Sequence, residues 1–178
     1  MGTTRLVSRR RQDSGAKWAR IAMAVLATAG LIDTGSITLK RWGLLGNLTC
    51  PMGADGCDKV LNSAWGTVFA GIPLSLVGVL AYGAVLLMAL LPLLPGLQEN
   101  KTDLSRRTWW GLFAVALGMA VFSGVLLGVM LLKIQAFCFF CVLSAGLSLA
   151  LFVLSVVGGG WDDFGQLLFR GVLLALAV

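Results

Sequence analysis

The sequence predicts an all-α integral membrane protein: a four-helix transmembrane bundle with a partial or truncated fifth helix. Three observations predict it. Of the 178 residues, 58% are hydrophobic and 12% charged, and mean hydropathy is +0.90. That is more apolar surface than a soluble domain of this length can bury. The apolar residues also form continuous runs, without the period-two alternation of barrel strands. Finally, most basic residues stand in two short clusters beside those runs, which is how topology is written in membrane proteins. The net charge of +6 is therefore not a nucleic-acid signal. There are no histidines and four cysteines. His-based metal sites and His general bases are excluded, which leaves thiol–disulfide chemistry or an all-cysteine metal site.

Taken in order, residues 1–16 read as a disordered, cytoplasmic basic arm. Arg5, Arg9, Arg10 and Arg11, continued by Lys17 and Arg20, face a single acid, Asp13. No clear small-residue cleavage site follows, so the first helix is expected to be retained rather than removed as a signal peptide. The bundle proper is expected over 17–157. Its first span runs from about Lys17 to Leu39. The charge-free part, Ile21–Ile32, is too short to cross ~30 Å of hydrocarbon, so the segment with Asp33 must belong to the crossing. An acid at membrane depth is a functional candidate by default, but the favoured expectation places Asp33 near the outer interface, hydrated or paired with Lys40 or Arg41.

Residues 40–71 read as an extracytoplasmic loop carrying Cys50 and Cys57, with Trp42, Trp65 and Phe69 holding it on the bilayer interface. Ile72–Leu94 is uncharged and long enough to span, with Pro73 in its first turn. The polar loop 96–108 holds Lys101, Arg106 and Arg107. Trp109–Leu132 is the third span, opened by a tryptophan pair at the interface. Its Gly111, Gly118, Gly124 and Gly128 are expected to allow close helix approach. Lys133-Ile134-Gln135 is a short break, and Phe137–Val157 the fourth span. Residues 158–178 form a loop and the start of a fifth helix that stops at Val178 in mid-hydrophobe, as in a chain cut from a longer one.

Topology follows from charge. The basic arm and the 96–108 loop, two spans apart, both belong inside. The 40–71 loop and the 133–136 turn are then both outside, so all four cysteines fall on one extracytoplasmic face. Such a compartment permits disulfides. Cys138-Phe139-Phe140-Cys141 sits at the start of a helix, where unpaired N–H groups and the positive end of the dipole favour a reactive thiolate. Two dithiol pairs within reach can relay two electrons through mixed disulfides.

Cys57-Asp58-Lys59-Val60-Leu61-Asn62-Ser63-Ala64-Trp65-Gly66, then Gly71-Ile72-Pro73-Leu74-Ser75, then Phe137-Cys138-Phe139-Phe140-Cys141 together resemble bacterial homologues of vitamin K epoxide reductase, over about Gly30 to Ala150. The resemblance implies a four-helix bundle around a quinone (ubiquinone, menaquinone or related), capped by the cysteine loop. It implies that Cys141 faces and attacks the quinone. Cys138 is then its resolving partner and exchanges with Cys57, while Cys50 receives electrons from a thioredoxin-like protein or fused domain. Ser63 matches the family's loop serine, which supports the quinone pocket or orders its lid. The activity implied is quinone-dependent thiol oxidation in a bacterial inner membrane, making disulfides in exported proteins.

Three other readings compete. A DsbB-type quinone reductase also has four helices and two outer cysteine pairs, but there the Cys-x-x-Cys precedes the other pair, whereas here it follows. A non-enzymatic membrane scaffold stapled by structural disulfides fits the apolar spans equally well. An all-cysteine metal site places four thiolates in a charge-neutral pocket, a poor setting for them, and no metal is expected.

Overall fold

A computed structural model describes residues 2–44, 59–60, 67–68, 72–93, 101–135 and 137–159. Cys50, Cys57, Ser63 and the expected fifth helix lie outside the described residues.

Helix α1 runs Gly2–Arg41, α2 Leu74–Leu90, α3 Lys101–Val129 and α4 Phe139–Gly158. A short 3-10 turn, Leu91–Leu93, prolongs α2, and a π-helical turn, Met130–Ile134, prolongs α3. Gln135 then breaks the chain direction with a left-handed φ of 49°. Before α2, β1 (Thr67–Val68) pairs antiparallel with β2 (Ile72–Pro73), Thr67 opposite Pro73 and Val68 opposite Ile72. Pro73 is the N-cap of α2 at φ −65°. The ring holds that angle without strain, and its missing N–H removes no helical hydrogen bond.

Among the described residues, four helical segments are long and apolar enough to cross a membrane: Lys17–Arg41, Leu74–Leu93, Leu104–Lys133 and Phe139–Gly158. Each overlaps an expected span. Two boundaries differ. Helix α1 begins at Gly2, so the arm read as disordered is helical; arginine is a good helix former and the arm holds no proline. Helix α3 begins at Lys101, inside the expected 96–108 loop.

The core draws on every helix: Met23 and Ala27 from α1, Tyr82, Val85 and Ala89 from α2, Trp109, Leu112 and Ala116 from α3, Leu151 from α4. Large apolar side chains such as Val25, Leu80, Leu87, Val125 and Val153 face outward. In water they would form adhesive patches; in a bilayer they meet their own kind.

Glycines set the closest approaches, at positions other than most of those expected. The Tyr82 ring lies against Gly30, and a Cβ on Gly78 would stand 2.8 Å from Thr34 Cγ2. Of the expected α3 stripe only Gly111 is crowded, with Met88 Sδ 2.6 Å from where its Cβ would be, whereas Gly118, Gly124 and Gly128 have open space. Spacing alone marked a face of α3 that proves to be only partly a helix contact.

Arg20 ties one end of the bundle together. Its guanidinium donates to Met88 O at 3.2 Å, to Ser105 O at 3.1 Å and to Thr108 Oγ1 at 3.0 Å. Its Cζ lies 4.6 Å from the centre of the Trp109 ring, a cation–π contact. Trp109, expected at the interface, is buried beneath it. This clamp sets the N-terminal side of the first span beside the start of α3. Gly158, at the far end of α4, packs there too, against Ala19 and Trp109. Cys138 and Cys141 therefore lie at the opposite end of the bundle, near Arg41 and Leu74.

Candidate functional site

Cys138 is the N-cap residue of α4, with extended backbone (φ −114°, ψ 110°). Its sulfur takes the place that a serine or aspartate oxygen takes at other helix starts. The Cys141 N–H donates to Cys138 Sγ at 3.4 Å, and the two sulfurs are 2.6 Å apart with both thiols free. The Cys138 carbonyl accepts from the Val142 N–H at 3.1 Å, so the helix is already formed around the pair. Amide donors and the dipole end together favour negative charge on Cys138 Sγ.

The two thiols differ in access. Cys138 is fully buried, in a cluster with Met130 that Val60, Leu127 and Phe140 cover. Cys141 is half-buried and forms part of the wall of a cavity of about 400 Å³. Val60, three residues beyond Cys57 in the sequence, contributes to that same wall. All four helices line it, mainly with aliphatic and aromatic side chains such as Ile37, Leu74, Val115, Met119, Phe122 and Met130.

Below Cys141 the cavity has a polar floor. Cys141, Ser144 and Ser148 stand three and four residues apart, on one stripe of α4. The Tyr82 hydroxyl donates to Ser144 O at 2.9 Å and lies 3.1 Å from Ser144 Oγ and 3.2 Å from Ser148 Oγ. Ser123 of α3 reaches Ser148 at 3.3 Å. Near the rim, the Thr38 hydroxyl donates to Thr34 O at 2.8 Å and shares a 2.9 Å hydrogen bond with the Ser75 hydroxyl. None of these hydroxyls was singled out from the sequence. The signal was there, as polar residues spaced one and two turns apart inside apolar helices, but it is weak without a partner helix to compare.

Asp33 corrects an expectation. It is not an exposed interfacial acid: it is 6% exposed, lines the cavity, and among the described residues neither carboxyl oxygen has a hydrogen-bond partner. Gly30, Asp33, Thr34, Ile37 and Arg41 fall at helical spacing on one stripe of α1, and that stripe faces α2 and the cavity. Eight residues of helix separate Asp33 from Arg41, about 12 Å at 1.5 Å per residue, which puts Asp33 well below the helix end. Among the sequence-predicted site residues, then, Cys138 and Cys141 come together at one cavity. Cys50, Cys57 and Ser63 lie outside the described residues.

The chain is similar to the thiol-disulfide oxidoreductase LTO1 of Arabidopsis thaliana, with 32% identity over 156 residues, covering 83% of this chain and 39% of that protein. It thus spans well under half the length of that relative. Residues 21–156 match the sequence profile of the Vitamin K epoxide reductase family. The matched region takes in the cavity, the buried helix contacts and both thiols of α4, and the chain belongs to the Vitamin K epoxide reductase family.

Proposed function

We propose that the chain is a membrane thiol–disulfide oxidoreductase that passes electrons from a thioredoxin-like protein or fused domain to a lipid-soluble quinone. The route runs from the partner's dithiol to Cys50/Cys57, then to Cys138/Cys141, then to ubiquinone, menaquinone or a related acceptor. In a bacterial inner membrane, with the basic N-terminal end in the cytoplasm and the cysteines on the outer side, this chemistry supports disulfide formation in exported proteins.

The observation that carries the reading is the split access of the thiol pair. One sulfur, Cys141, is in the cavity wall; the other, Cys138, is buried behind it and 2.6 Å away. A cavity of about 400 Å³ with apolar walls is within the usual range for small-molecule sites. Apolar walls and hydroxyls at one end suit a ring with polar groups at its edges, so the residues fit a quinone. A bound quinone supplies a two-electron, two-proton acceptor. Cys141 meets it, and Cys138, stabilised as a thiolate by the Cys141 N–H, closes the disulfide as Cys141 gives up its electrons. The thiolate of Cys57 then reopens that disulfide at Cys138, and Cys50 resolves the mixed disulfide. Ser63 supports the quinone pocket or orders the loop over it.

Turnover of ubiquinone and menaquinone analogues by the purified chain, with a small dithiol as donor, tests the reading; no turnover with any of them contradicts it. Cys50→Ala separates the two halves of the route. It is expected to block reduction driven by a thioredoxin-like protein and to spare much of that driven by a small dithiol. Equal loss with both donors counts against a shuttle role for the loop.

A further inference from the structure

Among the described residues Asp33 is the one carboxyl that lines the cavity, and both its oxygens are buried without a hydrogen-bond partner there. The other polar groups around it are satisfied. Thr34 donates to Gly30 O at 2.7 Å, Thr38 bonds Ser75 at 2.9 Å, and Tyr82 bonds Ser144 at 2.9 Å. Among the described lining residues, the remaining charged or titratable groups are Arg41 on the same helix, Tyr82 on α2 and Cys141 on α4; α3 adds no charged side chain. Asp33 and Cys141 line the same cavity.

A carboxylate buried without donors costs several kcal/mol, whereas the acid form costs far less and carries an O–H. A quinone oxygen can only accept. A negative Asp33 would also oppose a thiolate at either sulfur, so the acid form is the one that lets Cys141 react. We propose that Asp33 is a catalytic proton donor of this cavity: its carboxylic acid hydrogen-bonds one oxygen of the bound quinone and protonates it as the dithiol is oxidised. This inference rests on the quinone reading above and gives a role to a residue that reading leaves without one. The balance closes. Cys138 gives up its proton on becoming a thiolate and the Cys141 S–H bond breaks as the S–S bond forms, so oxidation of the dithiol releases two electrons and two protons in all. The electrons reduce the quinone to the hydroquinone. Asp33 delivers one proton at one oxygen and regains one from the thiols, and the second thiol proton goes to the other oxygen.

The test uses the purified full chain with menadione and a short-chain ubiquinone as probes, and compares it with Asp33→Asn, Asp33→Glu and Cys141→Ala. Infrared difference spectra should show a carboxylic-acid C=O band that shifts on quinone addition and is missing in Asp33→Asn. Because the amide keeps an N–H donor but cannot transfer a proton, Asp33→Asn should change KM less than about threefold. Its kcat should fall at least about a hundredfold, the lower end of the usual range for a lost general acid, and the decline of kcat at high pH should disappear. Asp33→Glu should recover part of the rate and the band. An unchanged kcat and pH profile in Asp33→Asn, or a quinone-induced spectrum without an Asp33 band, overturns the proposal. Cys141→Ala separates the two claims: if it keeps full turnover the electron route fails, and the response of the Asp33 band to quinone still decides the proton donor.

Discussion

At the scale of single residues, the decisive contrast is between Cys138 and Cys141. They are one helical turn apart, yet one is sealed in a cluster and the other opens on the cavity. The helix start explains this, because an N-cap residue points back over the first turn while the residue three positions on points along the bundle. The Cys-x-x-Cys and its place on a first turn were legible from sequence. The burial of Asp33 was not, since a neighbouring Lys40 or Arg41 in the chain is an obvious partner until the helix sets Arg41 about 12 Å further along the same stripe. Glycines make the same point. Gly30→Ala drives a methyl into the Tyr82 ring and should destabilise by about 1–3 kcal/mol, the usual cost of overpacking. Gly118→Ala enters open space on the cavity wall; it should leave the melting temperature near the starting value and raise KM for quinone. Thermal unfolding in detergent alongside quinone kinetics checks both, and the reverse pattern would show the cavity wall to be misassigned.

Elements were more legible than residues. Long uncharged runs force helices in lipid, because no other open structure satisfies its backbone there, and all four were readable. Their ends were not. Residues 101–108 are polar and read as a loop, but Lys, Arg, Leu and Ser tolerate helix and the Arg20 clamp draws Ser105 and Thr108 into the bundle. Arg20 itself reads as one more positive-inside residue until its partners on α2 and α3 are seen. Arg20→Ala removes a buried charged donor and its hydrogen bonds to the Met88 and Ser105 carbonyls and the Thr108 hydroxyl. The expected cost is about 2–3 kcal/mol. Lower thermal stability with unaltered redox behaviour of Cys138/Cys141 is the predicted result; no loss of stability would make the clamp incidental. The α3 glycine stripe is the opposite error, a regular spacing taken for a contact that only Gly111 makes.

For the whole molecule, the charge pattern put the arm and the second basic cluster on one side and the cysteines on the other. In the bundle, Arg20, Ser105 and Gly158 gather at one end, and Cys138, Arg41 and Leu74 at the other. A cavity between four helices, closed below by hydroxyls and bordered above by a thiol, could not be read from any single helix, because each contributes only a few residues to it. The family resemblance supplied an expectation of such a pocket, and the cavity has a size and lining that suit it. The central claim is that Cys141 is the sulfur through which electrons leave the protein. The most direct measurement is quinone reduction by the purified chain with a small dithiol as donor, compared with Cys141→Ala under the same conditions. Loss of turnover to the uncatalysed background in the variant, with quinone still bound, is the predicted result; a variant that reduces quinone at the starting rate would contradict it.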